Sequence, residues 1–230
     1  MPLDVNPTLT GSPLENGGEA GDTAHLLAAL GRRTHVRTPY DYWLFTDMLP
    51  AGVASAIAGL PFAPPPPAGF DGRRETNNSS RHYFTPATRA VSPVIGRTID
   101  LFSDDAVVAA LSDLTGVALS EGRLRIEYCQ DVDGFWLEPH VDISAKLMTL
   151  LVYVSDDPRL ADAGTDVYDA SPEHRPVARA PYRRNDGLLF VPAADTWHGF
   201  TKRPIRGLRK SIIVNFVTAD WRSTQELALA

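Results

Sequence analysis

The chain has 230 residues, 43% of them hydrophobic and 22% charged, and a formal net charge of −6, enough chain for one sizeable core. The acidic balance argues against a nucleic-acid surface, because a phosphate backbone calls for clustered Lys and Arg. The single cysteine, Cys129, excludes an intrachain disulfide and a cysteine-rich zinc site and fits a reducing cytoplasm, and no run approaches the roughly 20 apolar residues of a membrane span.

Residues 1–22, rich in Gly, Pro, Asn and acidic side chains and without a signal-peptide pattern, read as a flexible tail. A helical region over 23–119 follows. HLLAAL, residues 25–30, predicts a short helix capped by Asp22 or Thr23 and stopped by Gly31. Residues 50–60 predict a second helix with Pro50 near its first turn. The prolines at 64–67 impose extended chain, and GRRETNNSSRHYFTP, residues 72–86, is polar, basic and without a helix or strand period. A loop of this length is either functional, here a candidate substrate lid, or an ordinary solvated or disordered segment. Residues 103–115 predict a helix with Ser103 as cap and Gly116 as stop.

From about residue 120 to 220 the pattern turns to β. RLRIEYCQ, GFWLEPHVD, KLMTLLVYVS, GTDVYDA, GLLFVPA, WHGFT and SIIVNFVTA are short, rich in β-branched and aromatic residues, and separated by turns such as SPEH and RRNDG. Seven or eight strands without helices between them predict an antiparallel sandwich or barrel. Helices before strands predict an α+β arrangement with the helices packed on one sheet. Residues 221–230 read as a C-terminal tail.

Within EPHVDIS, His140 and Asp142 are two apart and share one face of an extended segment. A histidine from a late strand, His198 in DTWHGF, faces them if the strands close into a jelly roll. Two imidazoles and one carboxylate make a metal-binding face that leaves positions open on an octahedral iron(II). Asp195, in the turn before His198, is a weaker candidate for the carboxylate. Arg209 opens the apolar strand SIIVNFV, and period-2 alternation puts Arg209 and Ser211 on one face. A buried guanidinium beside a hydroxyl suits a carboxylate ligand. The remaining histidines, His25, His35 and His174, read as solvated surface residues.

These residues resemble the 2-oxoglutarate-dependent, non-haem iron(II) oxygenases, through a His-X-Asp…His…Arg-X-Ser pattern over roughly residues 120–218. The resemblance implies a double-stranded β-helix (jelly-roll) core. It implies His140, Asp142 and His198 as metal ligands, with Arg209 and Ser211 on the cosubstrate; Tyr128 is either a further cosubstrate residue or core packing. The reagents it implies are iron(II), 2-oxoglutarate and O2, with the oxo acid leaving as succinate and carbon dioxide while the substrate is hydroxylated. Halogenating members carry a small residue in place of the carboxylate, so Asp142 favours hydroxylation. Desaturation, epoxidation and ring closure use the same ligands.

Arg74, Arg81 and His82 of the basic loop, with Trp136, are the candidate substrate residues, suiting a small polar molecule such as an amino acid or specialised metabolite. Nucleic-acid and membrane partners are not expected, a cytoplasmic location is, and the oligomeric state stays open. Two alternatives stay open: a cupin-type metal dioxygenase or isomerase working without 2-oxoglutarate, and a non-catalytic jelly roll in which His140 and His198 are structural.

Overall fold

A computed structural model describes residues 18–66, 70–73 and 81–229. The first helix, α1, runs Glu19–Gly31, starting earlier than its sequence signals suggest. Asp22 does not cap it; its carboxylate lies inside the helix, buried, and pairs with Arg97. Strands β1 (Thr34–Val36) and β2 (Tyr42–Phe45) follow, then α2 (Ala51–Ala58) with Pro50 at its N-cap. Part of the expected loop is regular structure: β3 covers Arg81–Phe84 and α3 covers Pro86–Val91, opened by a Thr85/Thr88 capping box. The rest of its polar stretch, residues 74–80, lies outside the described residues.

Helix α4 (Pro93–Ser103) ends where the sequence places the next cap. Asp104, not Ser103, caps α5 (Asp105–Thr115), accepting from the Ala106 and Val107 amides at 2.9 and 3.3 Å. Gly116 stops α5 in a left-handed conformation (φ 72°) that side chains disfavour.

Eight strands follow: β4 (Arg123–Asp131), β5 (Leu137–His140), β6 (Lys146–Tyr153), β7 (Asp166–Tyr168), β8 (Pro176–Arg179), β9 (Gly187–Phe190), β10 (His198–Phe200) and β11 (Arg209–Val217). They form two antiparallel sheets. The larger has the order β1-β2-β9-β6-β11-β4-β3 and the smaller β5-β10-β7-β8. The expected α+β jelly roll is therefore present, with one change: β1, β2 and β3 come from the first half of the chain and complete both edges of the larger sheet.

Both faces of that sheet are buried. Leu124, Ile126 and Tyr128 of β4, with Ile212, Val214 and Phe216 of β11, pack against helix residues such as Ile57, Ile95, Ile99 and Phe102. Each such side chain contributes about 1.5–3 kcal/mol on burial. The opposite face meets the smaller sheet across a second core containing Tyr153, Leu188, Phe190, Val167 and Phe200. Alternation then sends Arg125, Glu127, Cys129 and Asp131 of β4, and Arg209, Ser211, Ile213 and Asn215 of β11, into the space between the sheets. On β4 the charged residues thus point into the jelly roll, while Leu124, Ile126 and Tyr128 point out toward the helices.

Candidate active site

The smaller sheet brings the two expected histidines together. His140 on β5 and His198 on β10 are directly paired across the strands, their ring centroids 4.3 Å apart. Gly199 permits this closeness. A Cβ there would lie 2.8 Å from the Leu137 carbonyl oxygen and 2.9 Å from that of Glu138, so a larger residue would push β10 off β5. Asp142, just past β5, completes the group. Ligand atoms of His140, Asp142 and His198 all lie within 4.8 Å of one another, near enough to share an ion whose bonds are about 2 Å long.

Backbone carbonyls orient both rings. His140 Nδ1 is 2.9 Å from the Glu138 carbonyl and His198 Nδ1 is 2.9 Å from that of Thr196. A carbonyl only accepts, so each Nδ1 carries the proton and each Nε2 the lone pair, the tautomer a metal ligand needs. Asp142 is held at both oxygens. Lys146 Nζ donates to Oδ1 at 2.6 Å and Thr149 Oγ1 to Oδ2 at 2.8 Å. Asp195 is not part of this cluster.

The group opens onto a cleft of about 550 Å³, its mouth included, lined by Arg81, Cys129, Asp131, Phe135, Lys146, Arg209 and Ser211 besides the three ligands. Arg209 is buried, as expected, and already has partners: Nε donates to the Ala163 carbonyl at 2.7 Å and Nη1 pairs with Asp131. Burial alone would lower its pKa, but Asp131, Tyr182 and Tyr153 outweigh that and hold the guanidinium charged. Ser211 Oγ is buried without a hydrogen-bond partner among the described residues. An orphan hydroxyl beside a buried guanidinium is what a carboxylate-shaped ligand would satisfy. Together with the N,N,O donor set, it shows that these residues fit iron and an oxo diacid. Arg203, another cation of this stretch, is committed to Asp166 and the Asp162 carbonyl.

Other expected site residues fall elsewhere. Tyr128 lies on the helix-facing side of β4, 5.5 Å from the Phe62 ring, not in the cleft; burial raises its hydroxyl above the usual range. Its neighbours Glu127 and Cys129 take the inner face, so a cosubstrate role for Tyr128 is corrected by strand alternation. His82 also faces the helices, stacked on Phe62 at 3.9 Å, and burial lowers its pKa. Trp136 does not line the cleft; its Nε1–H donates to the Phe70 carbonyl at 3.0 Å and its ring rests on Gly72. Arg81 does reach the cleft, and Arg74 lies outside the described residues. Away from the site, His25 meets the Asp47 carbonyl, His35 the Asp41 carboxylate, and His174 stacks on Trp197.

Sequence reasoning missed the C-terminal segment. A second cleft, about 910 Å³ with its mouth, shares His140, Asp142 and Lys146 with the first and is walled by Tyr83, Arg125, Ile143, Trp221, Ser223 and Glu226. Glu226 accepts from Arg125 Nε at 2.7 Å, and the Ala228 amide donates to the Leu124 carbonyl at 2.9 Å, so residues 221–228 are tied to β4. The Arg125 guanidinium lies over both the Tyr83 and Trp221 rings, at 4.7 and 5.2 Å. The signal available beforehand was the charge alternation in RLRIEYCQD, which puts Arg125, Glu127 and Asp131 on one buried face.

No protein-family model matches the sequence, and no curated protein matches it. Solved structures do match. A Pseudomonas putida prolyl-4-hydroxylase superposes with a TM-score of 0.53 at 14% identity, covering 85% of this chain and 98% of its own. A Trichoplax adhaerens prolyl hydroxylase, solved with a hypoxia inducible factor peptide fragment, gives 0.52 at 13% identity over 86% and 90%. Streptomyces hygroscopicus HygX, solved with nickel, 2-oxoglutarate and hygromycin B, gives 0.51 at 18% identity over 79% and 85%. The chain has the fold of these proteins, and on its smaller sheet it assembles the His140, Asp142 and His198 cluster.

Proposed function

We propose that the protein is an iron(II)- and 2-oxoglutarate-dependent oxygenase that hydroxylates a small molecule. The observation that carries this reading is one cleft lined both by the His140/Asp142/His198 donor set and by the buried Arg209 with the Ser211 hydroxyl, which has no partner among the described residues. His140 and His198 would hold the metal through Nε2 and Asp142 through a carboxylate oxygen. Arg209 and Ser211 would hold the distal carboxylate of 2-oxoglutarate. Iron(II) with 2-oxoglutarate supplies oxidation of a C–H bond by O2, with succinate and carbon dioxide as coproducts. The chain contributes orientation and dryness: Thr149 and Lys146 fix Asp142, while Phe135, Leu151, Phe200 and Ile213 keep water from the cleft.

The second cleft, touching His140 and Asp142 from the other side, supports a substrate of small-molecule size. In that role Tyr83, Ile143, Trp221 and Glu226 take the place expected of His82 and Trp136. The test is anaerobic addition of iron(II) and then 2-oxoglutarate, watching for the visible metal-to-ligand charge-transfer band, followed by a screen for compounds that stimulate succinate release. Asp142→Ala should lose both the band and near-stoichiometric iron. A wild-type protein that binds iron but shows no 2-oxoglutarate-dependent band or succinate would refute the proposal.

A further inference from the structure

The inner floor of the larger sheet carries a row that the metal and Arg209 do not explain. In register, Arg81 of β3 lies opposite Cys129 of β4, and Cys129 opposite Ser211 of β11, so the three stand side by side and all line the first cleft. The Arg81 side chain is only 6% exposed. Both hydrogen bonds it donates leave from Nη1, to Glu127 Oε2 at 2.8 Å and Cys129 Sγ at 3.0 Å. Among the described residues its buried Nε–H has no acceptor, and the buried Ser211 hydroxyl on the far side of Cys129 has no hydrogen-bond partner. Native interiors rarely leave such donors unsatisfied, and one orphan at each end of a three-residue row points to a ligand that accepts from both.

Charge agrees. The lining of this cleft includes three cations, Arg81, Lys146 and Arg209, against two carboxylates, Asp131 and Asp142. Glu127 beneath Arg81 does not require it, because Arg125 and Asn215 also donate to Glu127. We infer that Arg81 is a second arginine for the distal carboxylate of 2-oxoglutarate, acting with Arg209 and Ser211; this rests on the function proposed above. The first half of the chain thereby supplies a binding group to a site whose other parts lie after residue 120. Arg81, expected from sequence to meet the substrate, is assigned to the cosubstrate.

The test compares two oxo acids that differ only at the far end: 2-oxoglutarate, and 2-oxovalerate, in which a methyl group replaces the distal carboxylate. Dissociation constants are read anaerobically from the charge-transfer band of the iron(II) protein. Arg81→Gln should weaken 2-oxoglutarate about tenfold or more, the size of one lost charge-assisted hydrogen bond, and leave 2-oxovalerate unchanged. Arg81→Lys, which keeps the charge, should recover part of the loss. Equal weakening of both acids would mean that Arg81 acts only through the fold, and no weakening of either that it touches no ligand; each overturns the inference. Absence of the band in the wild-type protein would instead sink the reading of the site itself.

Discussion

Arg209→Ala is expected to lower both the stability of the fold and its affinity for 2-oxoglutarate, by separable amounts. The guanidinium is buried, pairs with Asp131, whose side chain is 4% exposed, and donates to the Ala163 carbonyl. Removing it strands a buried carboxylate, which costs about 3–5 kcal/mol, a large part of the 5–15 kcal/mol a domain typically has. Loss of a charge-assisted bond to the cosubstrate costs about 1.5–3 kcal/mol more, or roughly 10- to 150-fold in affinity. The double variant Arg209→Met/Asp131→Leu separates the two effects, because replacing both members of a buried pair with apolar groups is often near neutral. Urea unfolding of the metal-free protein should show the double variant recovering at least half the stability lost by Arg209→Ala. Anaerobic titration of the charge-transfer band should show it still impaired in binding 2-oxoglutarate. If the double variant regained wild-type affinity together with its stability, Arg209 would be a structural residue and the assignment of the cosubstrate end would be wrong.

Gly199→Ala should separate the two imidazoles by forcing β10 from the Leu137 and Glu138 carbonyls; overpacking of this kind costs about 1–3 kcal/mol. Iron affinity, followed by anaerobic titration, should fall more steeply than for Gly52→Ala on α2, where a Cβ meets nothing. Burial pushes the Asp186 carboxyl up to about 6, with Arg183 opposing. An acid raised above its unfolded value near 4 gives its full support to the fold below about pH 4 and loses it as pH rises through about 6. Asp186→Asn should therefore match wild type at pH 4 and melt higher at pH 7.5; an equal or lower melting temperature at pH 7.5 would contradict this.

The convergence of His140, Asp142 and His198 and the burial of Arg209 and Ser211 were legible because spacing of two along a strand fixes a shared face, and buried charge needs a reason. Tyr128 was misread because facing cannot be told from composition in a strand buried on both sides. On β4 the charged residues Arg125, Glu127 and Asp131 point to the barrel centre and Ile126 and Tyr128 point out, whereas on β6 and β9 apolar residues such as Tyr153, Leu188 and Phe190 point in. RHYF in β3 is too short and polar to stand out, yet it pairs with four consecutive residues of β4. PVIGRTIDLFS in α4 was left without an element, although Val94, Ile95, Ile99 and Phe102 are spaced for a helix and all buried. The walls formed by Trp221 and Glu226 depend on a chain reversal that only tertiary contacts reveal.

The contribution of β1, β2 and β3 to the larger sheet bears on how this polypeptide can be divided. A fragment beginning near residue 120 would retain His140, Asp142 and His198 but expose the backbone donors and acceptors of β4 along one margin and β9 along the other. Bare margins of that kind recruit strands from neighbouring copies. The half that holds the candidate site is thus not a self-sufficient module: residues 34–45 and 81–84 cover its margins, and a fragment without them would be expected to aggregate rather than fold.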